Sequence, residues 1–119
     1  MGYLRHQCAV AHSWGYAPDV AAMDAMMQDI NTNWQGDIYN GSSNPIVIRS
    51  GEMVNGSITW LFAVDGSKEG WDTSTRADEL RSQFLCTCCA CKYVDAFDLV
   101  IGGDDDELVA TPYSRPKEG

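Results

Sequence analysis

The sequence predicts an α+β domain of the ferredoxin-like class, a βαββαβ chain with a four-stranded antiparallel sheet and two helices on one face. Three observations predict it. Apolar residues alternate with period two in several short runs, they recur every three or four residues in two longer segments, and Asn55-Gly56 separates the two middle β-rich runs. A chain of 119 residues has room for one domain with its own core. With 45% hydrophobic and 21% charged residues its composition is that of a globular protein. The domain is expected over residues 1–110, with 111–119 as a flexible C-terminal tail.

Residues 3–14 alternate as a strand does. Leu4, His6, Cys8, Val10, His12 and Trp14 fall on one face, and Arg5, Gln7, Ala9, Ala11 and Ser13 on the other. Leu4 and Val10 mark the first face as the one expected against the core. Gly15 breaks the run and Pro18 suits a first helical turn. Val20, Met23, Met27, Ile30 and Trp34 then form one helical stripe. Residues 31–44 are polar and rich in Gly, Ser and Asn, so a loop is expected there. Runs 45–54 and 57–65 flank Asn55-Gly56, whose positions in a tight hairpin turn both require positive φ. The second run is apolar on both faces, which predicts a central strand. Asp72-Thr73-Ser74-Thr75 offers caps for a second helix, with Ala77, Leu80, Phe84 and Cys88 on its inner stripe. Phe97, Leu99 and Ile101 alternate in a final strand.

The charge is uneven. Seventeen Asp+Glu face eight Lys+Arg, a formal net charge of −9. Such a balance argues against contact with nucleic-acid phosphate or an anionic membrane, and no apolar run reaches the roughly 20 residues of a membrane helix. Residues 95–107 hold six carboxylates and no cation, and residues 19–37 hold four more with none. An acidic surface of this kind complements a basic site on another protein. Asp24, Asp29, Asp95, Asp98, Asp104, Asp105, Asp106 and Glu107 are the candidate partner-binding residues. The expected function is that of a non-enzymatic binding protein without a cofactor. Its size and charge match an inhibitor that blocks a basic nucleic-acid-binding surface, as phage anti-restriction and anti-CRISPR proteins do.

Two other readings compete. Cys86, Cys88, Cys89 and Cys91 lie within six residues, the thiolate density of a soft-metal or thiol-regulated site, although no continuous helix converges all four on one ion. The second is a small ligand-binding dimer or enzyme of the same fold, with Ala9, Ala11, Ser13, Leu61 and Ala63 as an interface between sheets. His6, Cys8 and His12 share a strand face, but residues two apart sit about 6.6 Å from each other, too far for direct nucleophile–base contact. Gly66-Ser67-Lys68-Glu69-Gly70 lacks the spacing of a phosphate loop. An odd number of cysteines and an N-terminus without a signal-like apolar stretch lead to the expectation of a reducing cytoplasm.

Overall fold

The second run of the hairpin has a hydrogen-bonded neighbour on each edge, the central position predicted for it. A computed structural model describes residues 3, 4, 6–36, 44–101 and 109–113. The elements in order are β1 (Tyr3–Leu4), β2 (His6–Ser13), α1 (Ala17–Gln35), β3 (Val47–Arg49), β4 (Ile58–Phe62), β5 (Lys68–Glu69), α2 (Asp72–Ala90), β6 (Val94–Ile101) and β7 (Val109–Tyr113). The main sheet runs β3-β4-β2-β6-β7, every neighbouring pair antiparallel, while β1 and β5 form a separate two-stranded sheet. The chain is thus α+β with two helices and five strands in its main sheet, one more than the four expected.

The extra strand corrects the expected tail. Val109, Thr111 and Tyr113 pair with β6, and Tyr113 packs against the core, so residues 111–113 belong to the sheet. Pro112 is tolerated because β7 is an edge strand, where a missing N–H on the outer side costs no ladder bond. Residues 114–119 lie outside the described part. The run 3–14 is also divided, since its first residues join β5 while β2 enters the main sheet.

The inner face of β2 is the reverse of the expected one. Ala9, Ala11 and Ser13 are buried, in register with Phe62, Trp60 and Ile58 of β4. Small side chains on the middle strand leave room for those large neighbours and for Phe84, whose ring meets Phe62 edge-on at 6.0 Å between centroids. The same burial removes Ala9, Ala11 and Ser13 from the expected interface between sheets. Both helices pack on this face, α1 through Met23, Met26, Ile30 and Trp34, and α2 through Ala77, Leu80, Phe84, Leu85 and Cys88. Met26 takes the deep position expected of Met27, which packs at the margin. The caps expected at Asp72–Thr75 are not used. Trp71 is the N-cap without a side-chain hydrogen bond, and Asp72 is the first helical residue, where its charge favours the helix dipole.

The Asn55-Gly56 turn forms as its chemistry demands, with φ of 59° and 78° and the Ser57 N–H donating to the Val54 carbonyl. From that turn to the Ser50–Thr59 hydrogen bond the chain takes four steps on one side and two on the other, so Gly51–Met53 bulge out and β3 shrinks to three residues. Gly15 closes the turn from β2 to α1 against the hairpin tip. Its φ is +88°, and a Cβ there would lie 2.7 Å from the Gly56 carbonyl oxygen.

Three polar side chains of α1 tie the helix to the sheet. Asn31 Oδ1 accepts the Ile46 and Val47 N–H groups at 3.0 and 2.9 Å, and its Nδ2 donates to the Val47 carbonyl at 3.0 Å, so one amide behaves as a short strand partner. Asp24 meets Arg49 Nε at 3.0 Å and accepts the Trp60 indole N–H at 3.2 Å. Asp19 is buried and accepts the Lys92 and Tyr93 N–H groups at 2.9 and 2.7 Å.

Candidate functional surfaces

The acidic candidates do not form one surface. Asp24 is held by Arg49 and Trp60, and Asp29 accepts a 2.7 Å hydrogen bond from Gln83 of α2. Asp98 Oδ1 lies 3.2 Å from Arg81 Nε, near enough for charge pairing although the angle falls short of a hydrogen bond. These three lie on the helix side of the sheet. Asp95 stands exposed on the opposite face, in register with His12. Asp104, Asp105, Asp106 and Glu107 lie outside the described residues.

The cysteines at the end of α2 are spread by the helix. Cys88 is fully buried with its Sγ 3.9 Å from Met23 Sδ, Cys91 is buried at the C-cap, Cys89 is half-buried and Cys86 is exposed. All five cysteines are free thiols, and among the described residues no group of three or more His, Cys, Asp or Glu side chains converges as a metal site would require. Burial pushes the Cys88 thiol up to about 12, with the neighbouring Cys91 and Cys89 adding to the shift. Burial and then the Asp19 carboxylate push Cys91 up to about 11. Cys8 is also raised, first by burial and then by Asp98, against an opposing pull from Arg81.

These shifts have a sign. Below the ordinary thiol value of 9.0 both Cys88 and Cys91 keep their protons folded or unfolded, and they leave stability independent of pH. Above it the unfolded chain releases the protons first, so stability falls as pH climbs from 9.0 towards about 11 and about 12. Urea melts should therefore give a lower midpoint at pH about 10.5 than at pH about 8. Iodoacetamide at pH about 8 should modify Cys86 while Cys88 and Cys91 stay silent until the protein is unfolded.

Cys8 and the two histidines do not assemble as a nucleophile and base. His12 Nε2 lies 3.2 Å from Ser57 Oγ, and its ring packs edge-on against Trp14 at 4.4 Å between centroids. His6 Nδ1 is buried without a hydrogen-bond partner. At the far end of the sheet a cavity of about 350 Å³ is lined by Trp34, Ile46, Asp65, Ser67, Trp71 and Thr73.

The second surface is the helix-free face of the sheet. Ile48, Leu61, Phe97 and Ile101 project from it with 51, 39, 43 and 38% of their area exposed, and Val10 and Leu99 fill the space between. Period-two patterning separates the two faces of each strand but does not say which pairs across strands fall together. That information resides in the register, so the sequence held only a partial signal for this patch. Compared with known protein families, with curated proteins and with solved structures, the chain matches none of them. No helix among the described residues is long and apolar enough to cross a membrane.

Proposed function

We propose that this protein is a non-enzymatic acidic binding protein, and that its partner is a protein with a basic surface of the sort that otherwise holds nucleic acid. Phage anti-restriction and anti-CRISPR inhibitors work in that manner. The observation that supports the reading is the imbalance of charge. The chain carries a formal −9, and three of its cations, Arg49, Arg76 and Arg81, are already engaged with Asp24, Glu79 and Asp78. Exposed Glu52, Asp72 and Asp95 add to a surface field that this sequence has few free cations to offset. The dense Asp104-Asp105-Asp106-Glu107 run offers the spacing of charge closest to that of a phosphate backbone. The scaffold in this reading is a ferredoxin-like arrangement extended by the edge strand β7, and its compartment is the cytoplasm.

Capture from host lysate on the immobilised chain tests the proposal at about 50 and about 200 mM salt, because a charge-driven contact weakens as the screening length shortens. A basic protein should be retained at low salt and released at moderate salt. The quadruple reversal D104K/D105K/D106K/E107K should abolish capture. Capture of no basic protein, or capture that survives the reversal, defeats the reading.

A further inference from the structure

We propose that the helix-free sheet face is the interface of a homodimer, with a second copy of this chain packed face to face against it. Apolar patches of this kind on a soluble protein mark contact surfaces. Five strands about 4.8 Å apart, holding 3, 5, 8, 8 and 5 residues at about 3.3 Å each, make a face of about 460 Å² in projection. Two such faces bury about 900 Å² together, the size of a weak, reversible interface.

The charge distribution makes this face the one on which a second copy can sit. Two molecules that each carry −9 approach one another only where charge is sparse. Asp95 is the one charged side chain that the register places on this face among the described residues, and it stands beside His12. Asp24, Asp29 and Asp98 remain on the far side of each sheet, away from the junction. The residues that adjoin β6 and β7 in sequence, 102–108 and 114–119, hold only Leu108 and Pro116 as larger apolar side chains, too few to cover the patch. The edges are poor alternatives for pairing. β3 has three residues and β7 carries Pro112, so strand addition is short on one side and interrupted on the other. Two sheets packed by their faces, as in a sandwich, satisfy the apolar side chains without using either edge.

Sedimentation equilibrium of the full chain from about 1 to about 200 µM tests this, a range that spans dimer dissociation constants of ordinary strength. The expected result is a concentration-dependent rise from the 13.1 kDa chain mass to twice that value, retained in high salt. Leu61→Asp and Phe97→Asp should each raise the dissociation constant about tenfold or more, since each places a new carboxylate in an apolar junction. Both positions are exposed in the monomer, and a thermal melt verifies that each variant folds. Ile48→Lys on the edge strand provides a third variant with the same expectation. Val54→Asp, 82% exposed in the hairpin turn and outside the face, should dimerise as the unaltered chain does. A monomer throughout the range overturns the proposal, as does a dimer indifferent to Leu61→Asp, Phe97→Asp and Ile48→Lys. Self-association that resists salt and partner capture that yields to salt are separate readings, so either proposal can fail alone.

Discussion

Trp60→Ala should destabilise the protein by about 3–5 kcal/mol and lower its melting temperature by about 10–20 °C, as truncation of a fully buried aromatic does. Trp60 has no exposed area, sits in register with Ala11 and Arg49, and belongs to the single core beneath both helices. Its removal leaves a void that alanine neighbours on β2 cannot fill by a rotamer change. The indole also donates its N–H to Asp24, and the Arg49 guanidinium lies 6.0 Å from the ring centre, so the clamp between α1 and the sheet loses its backing. Trp60→Phe separates the two contributions. It keeps much of the volume and deletes the donor, and should cost about 1.5–3 kcal/mol, the scale of a hydrogen bond to a charged acceptor. Equal losses in the two variants would mean that packing around the ring contributes little, contrary to its burial. Denaturant midpoints at fixed m-value provide the measurement.

The helices were legible because a 3.6-residue period amplifies a weak signal over many turns. Met23, Ile30 and Trp34 on α1, and Ala77, Leu80, Phe84 and Cys88 on α2, occupy the core where the stripes put them. The same helical period accounts for the scatter of the clustered cysteines. Strand sidedness was not legible. In β2 the alternation of Ala9, Ala11 and Ser13 with Cys8, Val10 and His12 defines two faces, but hydrophobicity alone favours the wrong one. What decides is volume: Trp60 and Phe62 flank the small residues, and that pairing is set by register between distant segments. β7 failed for a related reason, since its strand character depends on β6 and on Tyr113 reaching the core. The acidic candidates show the same limit at the level of the site. Asp24 meets Arg49 across 25 residues and Asp29 meets Gln83 across 54, distances at which a count of local charge says nothing about pairing. A net charge can be read from sequence, but the share of it free to meet a partner cannot.

Asp19 carries that point into a second large prediction. It looks like an ordinary first-turn carboxylate, favourable to the dipole of α1, yet it is buried and holds the N–H groups of Lys92 and Tyr93 just before β6 begins. Asp19→Ala orphans both donors at a part-buried junction, and should cost about 1–3 kcal/mol. Asp19→Asn retains one acceptor oxygen and should lose about half as much. The damage should be local before it is global. In native-state hydrogen exchange of Asp19→Ala the Lys92 and Tyr93 amides should lose protection, while amides around Ile30 should open only with the whole fold. Asp19 also raises the Cys91 thiol, by its charge and by a hydrogen bond. Removing the carboxylate should therefore lower the pH at which Cys91 is alkylated, a readout that a simple loss of stability moves at Cys88 as well. Alkylation that accelerates equally at both thiols, or a stability change below about 0.5 kcal/mol, would show that Asp19 does not fasten α1 to the start of β6.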